Sequence, residues 1–379
     1  MARKLLDIPD RFTWATNASR TITPAQASGI VIADGWDFSD RPPARLMNYF
    51  HSLQYQWADK QIIQLLANPT FDATFHGTAV ATIAKNDNNG LWIRSSATTG
   101  ATATSYDGWV WTAGAGLAGT PVYNCCVNTA TDGIVIGVGG GVEYSADAVA
   151  WTATGAGATV SMANVQTSDL FLRIRTSTIM ERWLTGATGG ATLPSVMSWG
   201  ATGLKTVAGD TASNWVTIDA NGNCHLSTDG GDNWSQSGQG PVDAIASFIA
   251  VDCDYEDGTI VVVGEDGSVP QIARSADDGA NWSTVSFTPQ TPTGGTTQFN
   301  AVRALGNDIW LAVGELGTGV NGAVDYWFSI DDGATWSIAR VRWDGTINTN
   351  FRTIWCDGNQ FVSSGVGGDY LRSDTIGLA

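Results

Sequence analysis

The sequence predicts an all-β protein, a seven-bladed β-propeller preceded by a small N-terminal segment with one long α-helix. A short turn sequence built from Ser, Asp, Gly and Trp recurs at intervals of roughly 30 to 55 residues, the spacing of four-stranded propeller blades. The chain contains 45 Gly and 17 Trp, and only 15 % of its residues are charged. An array of short strands and tight turns has this kind of composition.

The full turn reads Ser-x-Asp-x-Gly-x-x-Trp and occurs three times. Its copies are Ser227, Asp229, Gly231, Trp234; Ser275, Asp277, Gly279, Trp282; and Ser329, Asp331, Gly333, Trp336. A form one residue shorter occurs at Ser105, Asp107, Trp111 and at Ser145, Asp147, Trp151. Degenerate copies are predicted at Ser177 to Trp183, with Ile179 in place of the Asp, and at Ser373-Asp374.

Each residue type in the turn has a physical task. The Ser hydroxyl and the Asp carboxylate accept hydrogen bonds from turn N–H groups, and Gly adopts φ > 0. Trp covers the turn and buries a large apolar face. The turns resemble the Asp-box, or bacterial neuraminidase repeat, of sialidases, sortilin-like receptors and a photosystem-assembly factor family. That resemblance implies a turn between the third and fourth strands of a blade, far from the ligand face, and a structural role for its residues.

Apolar runs around the turns predict the strands of each blade. One blade is predicted at Ala244–Val251, Thr259–Gly264, Gln271–Ser275 and Trp282–Phe287, and the next at Phe299–Leu305, Ile309–Gly314, Val324–Ser329 and Trp336–Val341. The last unit has only three strands, at Phe351–Asp357, Gln360–Gly365 and Asp369–Ser373. Because an unpaired edge invites aggregation, we expect Thr70–Phe75 to supply its fourth strand. Residues 69–379 then form seven blades, and no helix is predicted after about residue 68.

Residues 1–68 form a separate anchoring segment in this interpretation. Ser39-Asp40-Arg41-Pro42-Pro43 is typical of a helix start, and a helix is predicted over residues 43–67. The helix is apolar on two faces, which favours burial of both. One face carries Leu46, Phe50, Leu53 and Trp57, and the opposite face carries Tyr55, Ala58, Ile62, Leu65 and Leu66.

The stretch from Gly35 to Phe50 resembles the short N-terminal segment of many tailed-bacteriophage virion proteins. Its shared features are an aromatic lead, an Arg-Pro-Pro-Ala step at residues 41–44 and an Asn-aromatic-aromatic start to the helix at residues 48–50. The resemblance implies that this segment docks to the particle through Pro42, Pro43, Leu46, Phe50, Leu53 and Trp57. A helix that simply caps the propeller is the alternative explanation of the same pattern.

Charge and composition exclude several classes of partner. The chain has a net charge of −17, and residues 1–68 contribute +1 of it, so the predicted propeller carries −18. Such a propeller repels nucleic acid and anionic membranes. No apolar run is long enough for a membrane helix, and the N-terminus lacks the apolar core of a signal peptide. We therefore expect synthesis in the host cytoplasm, and we read Cys126, Cys253 and Cys356 as core residues at the ends of first strands.

The sequence predicts no catalytic, metal or cofactor site. A sialidase needs three Arg that clamp a carboxylate, but the Phe-Arg-Ile-Pro signature is absent, and Arg94, Arg303 and Arg352 are not at equivalent repeat positions. A glycoside hydrolase needs two carboxylates, for which Glu143, Glu181, Glu256, Glu265 and Glu315 are candidates. His51, His76 and His225 have no metal-ligand spacing.

Two classes of function remain. In the favoured one, the chain is a virion structural protein of a phage tail that contacts other virion proteins and itself, and displays the propeller toward a host-surface glycan or protein. In the other, it is a carbohydrate-active or carbohydrate-binding Asp-box propeller with no viral role. The receptor-binding residues are not identifiable from the sequence.

Overall fold

The protein was analysed as a computed structural model. It describes residues 70–72, 80–86, 89–96, 98–107, 110–119, 121–127, 134–138, 141–156, 159–165, 170–176, 179–184, 191–192, 203–267, 269–287, 297–316, 323–342, 351–356, 360–365 and 370–373. The chain separates into two units, 1–63 and 64–379, and all described residues belong to the second. The helix predicted over residues 43–67 and its residues Pro42, Pro43, Leu46, Phe50, Leu53 and Trp57 lie outside the described residues.

The described strands form seven four-stranded antiparallel sheets, which are the seven blades of a β-propeller. The first strands contact one another in sequence around a ring, from blade 1 to blade 7 and back to blade 1, so they line a central channel. These inner strands are β2 (Val80–Asn86), β6 (Pro121–Val127), β10 (Ser161–Asn164), β14 (Leu204–Gly209), β18 (Ile249–Glu256), β22 (Thr297–Gly306) and β26 (Phe351–Cys356).

The other strands of each blade follow outward in chain order. The second strands are β3 (Leu91–Ser96), β7 (Ile134–Val138), β11 (Leu170–Thr176), β15 (Trp215–Asp219), β19 (Thr259–Asp266), β23 (Ile309–Leu316) and β27 (Phe361–Gly365). The third strands are β4 (Thr102–Ser105), β8 (Gly141–Ser145), β12 (Ile179–Leu184), β16 (Cys224–Ser227), β20 (Val269–Ser275), β24 (Ala323–Ser329) and β28 (Tyr370–Arg372). The outer strands are β5 (Thr112–Ala113), β9 (Thr152–Ala156), β13 (Ala191–Thr192), β17 (Ser235–Gln236), β21 (Ser283–Thr284), β25 (Ser337–Arg342) and β1 (Thr70–Asp72).

The last blade takes its outer strand from the other end of the propeller sequence. Strand β1 pairs with β28 in antiparallel register, with Thr70 opposite Arg372 and Asp72 opposite Tyr370. The sequence predicts this strand at Thr70–Phe75, of which residues 73–75 lie outside the described residues. The N-terminal and C-terminal ends of the propeller sequence thus share one sheet, and β1 covers the edge of β28 that would otherwise be unpaired.

Apolar packing between neighbouring blades forms the core. Second strands are buried on both faces because a blade lies on each side, and Ile260, Val261, Val262 and Val263 are all fully buried. One cluster joins blades 4 and 5 around Phe248 and Cys253, and another joins blades 5 and 6 around Trp310 and Trp327. Each large apolar side chain buried in this way contributes roughly 1.5 to 3 kcal/mol.

Two sequence predictions in this region were wrong. The inner strand of blade 5 was predicted at Ala244–Val251, but residues 241–244 form a helical turn, α1 (Pro241–Ala244), and β18 begins at Ile249. Pro241 suits the start of a helix, and the Asp243 carboxylate accepts a hydrogen bond from the Gly240 N–H at 2.7 Å. The helix also corrects the expectation of no helix after residue 68. None of the described helices is long and apolar enough to cross a membrane.

A third correction concerns the degenerate turn predicted at Ser177 to Trp183. Trp183 lies within the third strand β12, opposite Phe171, at the register position that a turn Ser occupies in the other blades. Ser177 comes before that strand, so this stretch does not connect a third strand to a fourth. The cysteine prediction was wrong in position for Cys253, which lies inside β18 rather than at its end, and Cys356 is only half-buried.

Candidate functional site

A cavity of about 450 Å³ lies in the central channel. Inner strands of blades 1, 3, 4, 5, 6 and 7 contribute residues to its wall, and it extends to the hairpins that follow β14, β18 and β22. Antiparallel pairing places those hairpins on the same face of the ring as the Ser-Asp turns, which follow the third strands. The cavity therefore lies toward the face of the ring that carries the Ser-Asp turns. The Asp-box resemblance had implied a ligand on the opposite face.

Alternate residues of β18 carry carboxylates toward blade 6. Asp252 accepts hydrogen bonds from the Val302 N–H at 3.1 Å and from Arg303 Nη1 at 2.6 Å. Asp254 accepts one from the Ala304 N–H at 2.8 Å. The inner edge of β22 has no strand partner, so these two side chains satisfy N–H groups that would otherwise lack an acceptor. They also join blade 5 to blade 6 along the channel.

Arg303 is a cation of the cavity wall and forms an ion pair with Asp252. Burial lowers the pKa of Arg303, but the adjacent Asp252 and Asp254 carboxylates outweigh burial and raise it, so the guanidinium stays charged. Burial raises the pKa of Asp254 to about 6, against the opposing effects of Arg303 and the Ala304 N–H. The positive charge of Arg303 is therefore balanced by the carboxylates that hold blades 5 and 6 together.

Glu256 ends the same row of carboxylates and differs from the other two. Its carboxylate has no hydrogen bond or ion pair with any described residue, although it lines the cavity. Burial, followed by the nearby carboxylates of Asp254, Asp257 and Asp210, raises the pKa of Glu256 to about 7. Glu256 is therefore protonated at neutral pH more often than an ordinary glutamate.

The hairpins complete the acidic end of the cavity. Asp257 and Gly258 form the two-residue turn between β18 and β19, with φ of +48° and +84°, a conformation that Asp-Gly adopts readily. The Asp257 N–H donates to Asp210 Oδ1 of blade 4 at 2.9 Å. Burial raises the pKa of Asp210. We call the set Asp210, Asp254, Glu256 and Asp257 the acidic mouth; none of the four forms an ion pair within the described residues.

The full Ser-Asp turns share one hydrogen-bond pattern. In the blade 5 turn, the Ser275 hydroxyl donates to Asp277 Oδ1 at 2.9 Å and accepts from the Gly279 N–H at 2.9 Å, while Asp277 Oδ1 accepts from the Asn281 N–H at 2.8 Å. The Trp282 indole donates to the Gly279 carbonyl at 3.1 Å. The same contacts recur around Ser227, Asp229, Gly231 and Trp234 and around Ser329, Asp331, Gly333 and Trp336.

The shorter turns keep part of the pattern. The Ser105 hydroxyl donates to Asp107 at 2.8 Å, and the Ser145 hydroxyl donates to Asp147 at 3.1 Å. Hydrogen bonds from turn N–H groups lower the pKa of Asp147 and Asp229, and the Asn281 side chain, followed by its backbone N–H, lowers the pKa of Asp277. Trp111 and Trp151, which end the shorter turns, are half-buried. These contacts occupy the turn side chains within the turn itself.

Glycine in the full turn is required by both conformation and space. Gly333 has φ of +77°, and a Cβ there would lie 3.0 Å from Val261 Cγ2 of blade 5. Gly231 meets Leu172 of blade 3 in the same way, and Gly279 meets Cys224 and Leu226 of blade 4. Each full turn therefore packs on the blade that precedes it in the ring.

On the face that carries the Ser-Asp turns, an arginine joins two neighbouring blades at three of the junctions in the ring. Arg182, Arg274 and Arg372 occupy one register position on the third strands of blades 3, 5 and 7. Each reaches the Ser-Asp turn of the next blade: Arg182 pairs with Asp232, Arg274 Nη2 lies 2.6 Å from Asp332 Oδ2, and Arg372 donates to the Asp107 carbonyl. Asp332 also accepts a hydrogen bond from the Thr259 hydroxyl at 2.6 Å.

The arginines proposed for a sialidase-like clamp are not brought together. Arg303 lines the cavity, whereas Arg94 stacks over Trp111 with its guanidinium carbon 4.8 Å from the ring centre, and Arg352 is absent from the cavity wall. Of the candidate carboxylates, Glu143 accepts hydrogen bonds from the Ala118 and Gly119 N–H groups, and Glu181 pairs with Arg173 and Arg175. Among the members of that group whose side chains the structure describes, Glu256 lines the cavity.

The remaining candidates do not form a metal centre within the described part of the chain. His225 is buried, with Nε2 3.5 Å from Asp219 Oδ2, and His51 and His76 lie outside the described residues. No group of three His, Cys, Asp or Glu side chains in the described residues is arranged to hold a metal ion.

Sequence reasoning missed the acidic mouth, although a signal for it is present. Asp252, Asp254 and Glu256 alternate with Cys253 and Tyr255 in β18, so the three acids share one face of an otherwise apolar inner strand. Three acids on one face of a buried strand are unusual because buried charge is costly. That pattern would have predicted a functional or inter-blade role.

No protein-family profile matches the chain, and no curated protein matches it either. Among solved structures, YCF48 from Cyanidioschyzon merolae is similar with a TM-score of 0.56 and 13 % identity, covering 78 % of this chain and 95 % of that one. YCF48 bound to D1 peptide has a TM-score of 0.56 and 13 % identity, covering 79 % and 94 %. Virginiamycin B lyase from Staphylococcus aureus has a TM-score of 0.61 and 10 % identity, covering 79 % and 97 %. At such identities the likeness shows the fold alone, that of a seven-bladed β-propeller.

Proposed function

We propose that this chain is a structural protein of a tailed-bacteriophage virion whose propeller recognises the host surface. Residues 1–68 attach the protein to the particle and to further copies of itself, and residues 69–379 are displayed. The sequence from Gly35 to Phe50, which is similar to docking segments of such virion proteins, supports the attachment. A ring of blades with loops on a rigid scaffold suits display and recognition.

The observation that carries the recognition role is the open cavity with fixed chemistry at one end of the channel. Asp252, Asp254 and Arg303 are held by contacts between blades 5 and 6, so the wall is preorganised without a ligand. Preorganised groups lower the entropic cost of binding. The structurally similar YCF48 has been solved with a bound peptide, so a ring of this fold is able to hold a protein segment.

Two experiments test the proposal. Antibodies raised against the propeller should label intact particles and reduce their adsorption to susceptible bacteria. Purified full-length protein should form an oligomer by light scattering, and replacing Phe50 and Trp57 by Glu should give a monomer with an unchanged far-ultraviolet circular dichroism spectrum. Absence of the protein from particles, or a monomeric full-length protein at high concentration, would contradict it.

A carbohydrate-active propeller is the second candidate, and Glu256 favours it. A protonated Glu256 beside Asp254 supplies an acid and a second carboxyl group in one cavity, the minimum for glycoside hydrolysis. Hydrolysis of chromogenic glycosides by the full-length protein, lost in Glu256→Gln and kept in Glu265→Gln, would establish this function. Equal background rates for all three proteins would eliminate it.

A further inference from the structure

We propose that the acidic mouth binds a basic side chain, a lysine ammonium or an arginine guanidinium, that a protein partner inserts into the channel. The inference deepens the proposed recognition function and rests on it. It assigns both the place of contact and the chemistry of the partner.

The size and wall of the cavity suit such a side chain. Its volume of about 450 Å³ lies within the usual range of ligand pockets. Val207, Leu305 and Ile354 lie in its wall and are no more than 3 % exposed, so the acidic groups stand on an apolar wall. The carboxyl groups of Glu256 and Asp257 lie where the channel opens, and Thr82 and Thr353 lie deeper, at the register position of Asp252. The charged end of an entering side chain would therefore lie between the two sets.

The charges of this region are not balanced within the described residues. Arg303 is paired with Asp252 at 2.6 Å, and no Lys or Arg forms an ion pair with Asp210, Glu256 or Asp257. Burial, followed by repulsion from neighbouring carboxylates, destabilises the ionised forms of Asp210 and Glu256, as their raised pKa values indicate. An inserted cation would relieve this repulsion, and the relief would make the free energy of binding more favourable.

Two hydroxyl groups provide an independent indication of a ligand. Thr82 is 1 % exposed and Thr353 is 7 % exposed, and both line the same cavity. They hold equivalent places, directly after the register shift in the inner strands of blades 1 and 7. Neither hydroxyl has a hydrogen-bond partner among the described residues, and neither is sealed in the core, so both are open to the cavity. An ammonium or guanidinium group donates several hydrogen bonds and can satisfy such acceptors.

The same observations argue against other classes of ligand. A metal ion would need a cluster of three ligating side chains, which the described residues do not form. Nucleic acid and other polyanions would be repelled by the acidic mouth. A basic protein segment is the ligand class that matches the sign of the charge, the apolar wall and the unpaired hydroxyls together.

The test uses the full-length protein and two fluorescein-labelled peptides, one of alternating Arg and Gly and a matched one of alternating Gln and Gly. Fluorescence anisotropy at 150 mM salt should give at least tenfold tighter binding of the Arg peptide. The double substitution Asp210→Asn with Glu256→Gln should weaken Arg-peptide binding at least tenfold. Because it removes repulsion, this variant should fold, which circular dichroism checks.

The control removes the same amount of charge elsewhere. Glu265→Gln with Asp266→Asn alters two acids at the far end of β19, away from the acidic mouth, and should leave the affinity within twofold of wild type. Thr82→Val should weaken binding a few-fold while leaving the net charge unchanged. Equal losses for both charge variants, or no preference for the Arg peptide, would overturn the proposal and reduce the effect to general electrostatic attraction.

The result is separable from the proposed virion function. Specific Arg-peptide binding with no labelling of particles would refute the virion role and leave the acidic mouth as a binding site. Labelled particles whose propeller shows no preference for the Arg peptide would do the reverse.

Discussion

At the scale of single residues, three carboxylates on one strand have different roles. Asp252 and Asp254 accept hydrogen bonds from N–H groups of β22, so their charge supports the junction of blades 5 and 6. Glu256 has no such partner among the described residues and faces the acids of the mouth. An ionised Glu256 therefore costs stability, which natural proteins accept mainly at functional sites.

This difference predicts that the effect of Glu256→Gln on the free energy of unfolding depends on pH. The pKa of Glu256 is raised from 4.5 to about 7 in the folded protein, so its stabilising contribution is complete below pH 4.5 and is lost as the pH rises through 7. The variant should therefore be more stable than wild type at pH 8, by about 1 to 2 kcal/mol after allowance for partial exposure. Urea unfolding at pH 4 and pH 8 measures it.

Glu265→Gln is the matched control and should show no such pH-dependent gain. A Glu256→Gln protein that is equally stabilised at both pH values would show that shape or hydrogen bonding, rather than charge, explains the effect. A variant that is destabilised at pH 8 would show that Glu256 is ionised and held by a favourable partner.

At the scale of structural elements, the Ser-Asp turn is the connection that recurs and locks each blade to its predecessor. Its Asp and Ser satisfy turn N–H groups, its Gly packs on the previous blade, and its Trp covers the turn. The loss of any one of these should therefore affect stability before it affects binding.

We expect Trp336→Ala to lower the free energy of unfolding by about 3 to 5 kcal/mol, the usual cost of deleting a buried aromatic side chain. Trp336 is 7 % exposed, whereas Trp282 is half-buried, so Trp282→Ala should cost less. Asp277→Ala should cost about 0.5 to 1.5 kcal/mol, the net value of a hydrogen bond, because water can replace the acceptor of the exposed Asn281 N–H. Denaturant unfolding measures all three. Unchanged stability with lost ligand binding would contradict the structural role of the turn.

The arginine contacts give a second prediction at this scale. Arg274 donates to both the backbone and the carboxylate of Asp332, so Arg274→Met should cost about 1 to 2 kcal/mol while keeping the apolar stem. Arg182→Met should cost less because both Arg182 and Asp232 are more exposed. Thermal unfolding of the two variants compares them directly. A larger loss for Arg182→Met would show that exposure does not govern these links.

At the scale of the whole molecule, closure makes the ring one cooperative unit. Strand β1 is the outer strand of the last blade, and inner strands β26 and β2 meet across the junction. Cutting the chain before residue 365 removes β28, the partner of β1. Strand β1 then cannot join blade 7, and that blade loses its two outer strands. Such a variant should unfold cooperatively at a lower temperature, as calorimetry can show; an unchanged melting temperature would contradict closure by β1.

The sequence alone determined the fold because its signals are local. Turn chemistry repeats at blade spacing, apolar runs identify strands such as β23 and β27, and the missing fourth strand of the last unit predicted the pairing with residues near Thr70. The predicted start of a strand was wrong where a second local signal competed with the apolar pattern, as in the inner strand of blade 5. Pro241 began a helical turn inside a stretch that apolar content had assigned to a strand, because a fixed φ and a cap outweighed weak β-propensity.

The position of the charged groups around the cavity depends on contacts between blades and is not visible in the repeat pattern. The acidic mouth joins Asp210 of blade 4 to Glu256 of blade 5, residues that are distant in sequence and meet because inner strands converge at one end of a ring. The cost of burying Glu256, the capture of Arg303 by Asp252 and the unpaired hydroxyl of Thr82 all depend on neighbours from other blades. Burial and electrostatics are properties of the assembled environment, so a repeat pattern can predict the ring but not the charge balance inside it.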